Sequence, residues 1–293
     1  MGLLLTGKLT LADSTPRNGM LLRPIHRSGE RLPVMGLGTY QSFGVGKIAA
    51  DREPLKDVLS LFTEYGGSMV DSSPMYGTSE QVVGDLSSTL ALRPQLFMAT
   101  KVWTSGNEAG IAQMNESFRR MRVNVMDLMQ IHNLMDWRTH ANTLAQWKDA
   151  GKIRYTGVTH YHSGAYARLE DIIKTKTFDF VQFNYSIAER EAERRLLPLA
   201  LDTGTAVIIN RPFAAAGLFS RVRGKTLPDW ATEFDCETWA QFFLKYIISH
   251  PAVTCAIPAT SKPKHLVDNM SAGYGRLPDE ATRKRMRDVI DRL

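Results

Sequence analysis

Cysteine is nearly absent: Cys236 and Cys255 are the only two in 293 residues. Their separation matches no metal or redox spacing, so they read as buried or inert thiols, and nothing requires an oxidising compartment. No apolar run reaches the length that spans a bilayer. Charge of one sign is barely in excess, with 36 basic and 30 acidic residues leaving +6. The basic residues are scattered, and the densest groups, at 119–122 and 283–287, fall on expected helix faces. That excludes a nucleic-acid stripe, while a mild positive balance still favours the approach of an anionic ligand. Linkers, low-complexity segments and composition breaks are also missing, so residues 20–293 read as one domain. The first 19 residues lack a basic leader and are short for a signal peptide. A targeting remnant, an extension or a cloning artefact all remain open there. A cytoplasmic protein is expected, with an exported form left open.

What is present is ordinary globular material, 43% hydrophobic and 23% charged. Ser28-Gly29-Glu30 between two short apolar runs predicts a hairpin. Eight buried, β-rich segments follow, at 34–37, 68–71, 96–101, 127–132, 155–159, 178–183, 206–210 and 254–257. Between them, apolar residues recur at helical spacing: Leu55, Val58, Leu59 and Phe62, then Ile111, Met114, Phe118 and Met121. Gly66, Gly151 and Gly204 supply helix stops. Eight β-then-α units predict an α/β fold, a (β/α)8 TIM barrel with an N-terminal hairpin and an extra C-terminal helix from residue 279. A doubly wound sheet is the alternative.

A barrel gathers the ends of its strands around one mouth. Asp71 ends the second strand, Tyr76 lies in the loop after it, Lys101 ends the third and His132 ends the fourth. A solvated polar loop is the bland reading of any one of them; the recurrence at successive strand ends argues against it. A free phenol is a poor acid at neutral pH. Lys101 can lower the Tyr76 pKa, Asp71 can keep a buried Lys101 charged, and His132 can orient a carbonyl oxygen. Together these suit carbonyl reduction. None of the four side chains carries hydride, so a nicotinamide cofactor is implied.

The chain resembles the aldo-keto reductases from about residue 20 onward. The resemblance is carried by Gly36-Leu-Gly-Thr-Tyr40, Asp71-Ser-Ser-Pro-Met-Tyr-Gly77, Lys101-Val-Trp103, Gln130-Ile-His132, Gly157-Val-Thr-His160, Val181-Gln-Phe-Asn-Tyr-Ser186, Arg211-Pro-Phe213 with Gly217-Leu218, and Ile257-Pro-Ala-Thr-Ser-Lys262 before Asp268-Asn269. It implies that Tyr76 is the general acid/base, tuned by Asp71 and Lys101, with His132 orienting the substrate. It implies that Gly38, Thr39 and Tyr40 form part of the nicotinamide floor, and that Thr159, His160 and Gln182 grip the carboxamide. It implies that Arg211 reaches the pyrophosphate, and that Pro212, Phe213, Gly217 and Leu218 belong to the cofactor site. Thr260, Ser261, Lys262, His265, Asp268 and Asn269 fall to the adenosine end. Tyr40 and Trp103 wall the substrate pocket, and no metal is involved.

Three departures stand out. Thr159-His160 replaces a common Ser-Asn. Asn210 stands where many relatives stack a tyrosine on the nicotinamide, so Phe213 or another ring must take over, or the cofactor is held more loosely. Ala259 replaces a lysine that relatives use for a 2′-phosphate. NADPH is still expected over NADH, with a small carbonyl substrate and a monomer or weak homo-oligomer. Two other readings compete: a nicotinamide-binding redox sensor or regulatory subunit, and a metal-dependent hydrolase using His132, His160 and His162.

Overall fold

The computed structural model describes residues 19–293; the expected N-terminal extension therefore lies outside the described residues, apart from Gly19. β1 (Leu22–Pro24) and β2 (Arg31–Pro33) form the antiparallel hairpin. Eight strands follow: β3 (Leu37–Gly38), β4 (Met69–Asp71), β5 (Phe97–Val102), β6 (Met126–Ile131), β7 (Ile153–Thr159), β8 (Phe180–Asn184), β9 (Ala206–Asn210) and β10 (Cys255–Ala256). They pair in chain order, each parallel to the next. The first and last edges then meet. Gly36 N donates to Ala256 O at 2.8 Å, and Ala256 N donates to Val34 O at 2.9 Å. The sheet closes into a TIM barrel, as the repeated units predict.

Closure needs a glycine. A Cβ on Gly38 would lie 2.7 Å from Ile257 O, so any side chain there would push the edges apart. It also explains a boundary difference. The first barrel strand was expected at 34–37, yet its ladder with β4 covers Leu37–Gly38, and its contact with the β10 side is two isolated bridges. Pro258 has no N–H to donate, so the ladder breaks there. The fourth strand also stops one residue early. His132 opens a short 3-10 turn with Asn133 and Leu134 at φ 54° and 58°.

Helices fill the connections: α1 (Ala49–Glu64), α2 (Ser79–Thr89), α3 (Asn107–Met121), α4 (Trp137–Asp149), α5 (Tyr166–Lys174), α6 (Leu196–Thr203), α7 (Gly217–Arg221), α8 (Trp239–Ile248) and α9 (Pro263–Ser271). α1 buries Leu55, Val58, Leu59 and Phe62, the stripe its spacing predicts. The added helix α10 (Glu280–Asp291) carries the 283–287 basic group on a helix face, as expected. Within it, Arg283 is only 4% exposed. It shares a face with Met286 and Ile290, so the packing that buries them buries it. Its guanidinium meets Glu193 at 2.7 Å and lies 4.1 Å over the Tyr246 ring. Among the described residues, no helix is long and apolar enough to cross a membrane.

The barrel interior has two storeys. The lower holds Met69, Phe97, Leu128, Phe180, Ala206 and Ile208, capped by Ile25 and Leu32 from the hairpin. Two residues beyond Met69, Ala99, Leu128, Phe180 and Ile208, the inward positions become Asp71, Lys101, Gln130, Gln182 and Asn210.

Candidate active site

Lys101 is fully buried, and its Nζ donates to Asp71 Oδ2 at 2.5 Å and to Ser72 O at 2.7 Å. The other carboxylate oxygen accepts from Gln130 Nε2 at 2.9 Å and Gln182 Nε2 at 3.0 Å. A buried ion pair is tolerable only when its spare lone pairs are satisfied, and the two glutamines do this. Gln182 Oε1 in turn accepts from Asn210 Nδ2 at 3.3 Å, and Asn210 Nδ2 also donates to His160 O at 2.9 Å. One chain of hydrogen bonds therefore crosses the mouth from β5 to β9.

Tyr76 sits above this layer. Lys101 Nζ is 5.0 Å from its ring centroid. The His132 ring stands edge-on to it at 5.8 Å, and Tyr40 lies at 5.0 Å. Trp103 closes the ring of side chains 6.3 Å from His132. The four expected catalytic residues and both expected pocket walls are thus neighbours.

The electrostatics correct one expectation. Burial raises the Tyr76 pKa and outweighs the opposing pull of Lys101, so the net shift is upward. The phenol is protonated at neutral pH. Burial alone would pull Lys101 down, but Asp71 and Tyr76 outweigh it, and the ammonium is held above its ordinary range. Burial, helped by Lys101 and His160, drives His132 down to about 2. His132 is a neutral imidazole.

The expected cofactor residues divide. Gly38 and Thr39 are buried beneath the exposed Tyr40, and Thr39 Oγ1 donates to Asp71 O at 3.0 Å. Thr159 is buried beside the half-exposed His160, whose ring stacks on Tyr161. Gln182 is engaged with Asp71 rather than waiting open at the strand end, because the adjacent carboxylate is the stronger acceptor. Asn210 Oδ1 and Arg211 Nε are buried without a partner among the described residues. Phe213 packs against Phe219 at 4.8 Å and Phe243 at 6.4 Å, with Pro212 buried before it. The exposed ring on the Asn210 side is Tyr161, with the Arg211 guanidinium 5.9 Å from it. Gly217 is exposed at the start of α7, and Leu218 is core. Thr260 Oγ1 accepts from Lys262 N at 3.1 Å. Lys262 and His265 are exposed, and Ser261 is half-buried. Asn269 is buried, and one oxygen of Asp268 already holds Thr238 and Gln241 at 2.8 and 2.9 Å. Asp268 therefore braces the start of α8, leaving only its second oxygen for a ligand. The Thr78 hydroxyl makes no cap on α2; it accepts from Gly46 N at 2.8 Å and ties two mouth loops together.

Sequence reasoning assigned no role to Gln130 or to Gln113. Gln130 is two residues before His132 and therefore faces inward; strand alternation alone signals it. Gln113 on α3 clamps the Trp103 backbone, accepting from its N–H at 2.5 Å and donating to its C=O at 3.2 Å; no local motif signals that contact. Among the described residues, no group of three His, Cys, Asp or Glu converges as a metal set.

Comparison with known proteins bears on the fold and the family. Methylglyoxal reductase YeaE of Escherichia coli is 27% identical over 259 residues, covering 85% of this chain and 89% of that protein. An NADH-specific methylglyoxal reductase of the same organism is 26% identical, covering 71% and 72%. A Klebsiella pneumoniae aldo/keto reductase solved with NADP and acetate superposes with a TM-score of 0.73 at 24% identity, covering 89% and 93%. Residues 34–286 match the aldo/keto reductase family, and the chain belongs to that family of oxidoreductases.

Proposed function

We propose that the chain reduces an aldehyde or ketone to an alcohol with NADPH, Tyr76 acting as general acid. The carrying observation is the buried Lys101–Asp71 pair beneath the Tyr76 ring, with His132 edge-on beside it. The nicotinamide, when bound, supplies the hydride. Tyr76, kept protonated by burial, gives its proton to the developing alkoxide. Lys101 stabilises the phenolate left behind, and Asp71 keeps Lys101 charged. Neutral His132 donates a hydrogen bond to the carbonyl oxygen without competing for the proton.

The residues present fit the cofactor. Asn210 Oδ1 is a buried acceptor without a partner among the described residues, which suits a carboxamide N–H beside Thr159, His160 and Gln182. Asn210 would thus hold by hydrogen bond what a stacked ring holds in other members. Gly38, Thr39 and Tyr40 would form the floor. Arg211 and the exposed Gly217 would border the pyrophosphate, with Pro212, Phe213 and Leu218 packed behind them. Thr260, Ser261, Lys262, His265, Asn269 and the second oxygen of Asp268 would take the adenosine end. The names of two relatives make methylglyoxal a first substrate to try.

The test is NADPH consumption with methylglyoxal and a panel of aromatic and aliphatic aldehydes and ketones. Many turnovers per protein support the reading. Oxidation of only one bound equivalent would make the chain a redox sensor, and no oxidation of demonstrably bound NADPH would overturn the assignment.

A further inference from the structure

We propose that Ser73 is a positioning residue that fixes the tautomer of His132, forcing its proton onto Nε2, the nitrogen that faces the mouth. The inference deepens the proposed carbonyl chemistry and rests on that reading only for its consequence in turnover.

Ser73 is fully buried in the loop after β4. Its Oγ lies 3.0 Å from His132 Nδ1, and it accepts from Met75 N at 3.3 Å. No other hydrogen-bond partner of Oγ occurs among the described residues. A hydroxyl has one proton to give and two lone pairs to fill. Suppose the proton of His132 sat on Nδ1. Ser73 Oγ would then accept from both Nδ1–H and Met75 N–H, and its own O–H would point at nothing. A buried donor without an acceptor is costly. With Oγ–H donating to Nδ1, every group is satisfied: Met75 N–H has its acceptor, Oγ–H has its acceptor, and Nδ1 has its donor. The imidazole proton must then be on Nε2. No hydrogen bond from a described residue reaches Nε2, and the ring is edge-on to Tyr76 and 6.3 Å from Trp103. The neutral ring can therefore present a donor, not an acceptor, to a carbonyl oxygen.

The backbone makes Ser73 well suited to this. Its carbonyl accepts from Tyr76 N at 3.0 Å, so the turn that carries Tyr76 into the mouth also fixes Ser73. The general acid and the orienting imidazole are set by one four-residue turn. A shift of that turn would displace both groups together.

The direct test is long-range 1H–15N NMR of histidine-labelled protein, with the His132 signals identified by their loss in His132→Gln. A protonated Nε2 and a bare Nδ1 in the wild type are expected; a protonated Nδ1 overturns the proposal, whatever the activity. In Ser73→Ala the two tautomers should mix, and kcat for a reduced carbonyl should fall about fivefold, the worth of one neutral hydrogen bond. NADPH affinity should hold. Ser73→Thr, which keeps the hydroxyl, should restore the wild-type spectrum. In the His132→Gln background, Ser73→Ala should change kcat no further; an undiminished fivefold loss there would show that Ser73 acts through something other than His132. If no carbonyl is turned over at all, the spectrum still decides the tautomer, so the two readings fail separately.

Discussion

The two storeys of the barrel interior come from the same strands, two residues apart. Leu128 and Gln130 share the inward face of β6, Phe180 and Gln182 that of β8, and Ile208 and Asn210 that of β9. The lower residues meet one another and the hairpin as an apolar plug. The upper ones are joined by hydrogen bonds around a buried ion pair. Backbone geometry is alike in both layers, so the difference lies in side chains alone. Apolar filling stabilises without geometric demands. The polar layer must satisfy every donor and acceptor it buries, and it is stable only as a set. The lower storey thus holds the barrel together, while the upper one holds one lysine charged beneath one phenol.

The sharpest break between the storeys is Tyr76→Phe. The side chain keeps its ring and its contacts with Tyr40 and His132 but loses the only proposed proton donor. Carbonyl reduction should fall by about 10²–10⁴-fold, with Tm and cofactor affinity unchanged. Retention of more than about a tenth of wild-type kcat, with chemistry rate-limiting, would remove Tyr76 from its role.

Lys101→Met tests the ion pair itself. It strands Asp71 in a dry interior with two amide donors and no cation, and should cost about 3–5 kcal/mol in chemical denaturation as well as most activity. The double variant Lys101→Met with Asp71→Leu should recover much of that stability, because the charge and its demand vanish together, yet remain inactive. A stable, active Lys101→Met protein would contradict the picture of the upper storey. Below, Leu128→Ala should cost about 2–5 kcal/mol through the cavity it leaves, while kcat per folded molecule stays at the wild-type value. If Leu128→Ala impaired turnover as Lys101→Met does, the division between storeys would fall.

Much of this was legible in the chain. Eight repeats of a short β-rich run and an amphipathic helix dictate the barrel, and an acid, a lysine and a histidine at successive strand ends converge by topology alone. Boundaries were less legible where the ladder depends on a partner distant in sequence: Pro258 trims the edge that β3 faces, and nothing near residue 34 announces it. The direction of the Tyr76 shift was misread for a related reason. The sequence shows that Lys101 is near, but the depth of burial that outweighs it is a property of the assembled mouth. Nothing in the charged run at 283–287 marks Arg283 as buried; only the packing of Met286 and Ile290 on the same face does. Asp268 likewise has its partners, Thr238 and Gln241, on another helix.

The smallest effect sharpens the same contrast with one residue type at two depths. Lys101 is sealed from water, while Lys262 is exposed at the start of α9. With Ala259 in place of a lysine, Lys262 is the only cation in Thr260-Ser261-Lys262 that can meet a 2′-phosphate. Thr260 is already tied to Lys262 N, so the segment is ordered before any ligand arrives. A charge-assisted contact at such a site contributes on the order of 1–3 kcal/mol, about tenfold to a hundredfold in affinity. Lys262→Ala should therefore weaken NADPH and leave NADH nearly unchanged. The loss should be larger at low ionic strength, because exposed charges are screened within about 10 Å at 0.1 M salt; any residual effect of Lys101 should be indifferent to salt. Titration of both cofactors against wild type and Lys262→Ala at two salt concentrations decides it. An unchanged ratio of NADPH to NADH affinity would move the preference elsewhere, to the exposed Arg221 at the end of α7 or to Arg223 or Lys225 just beyond it.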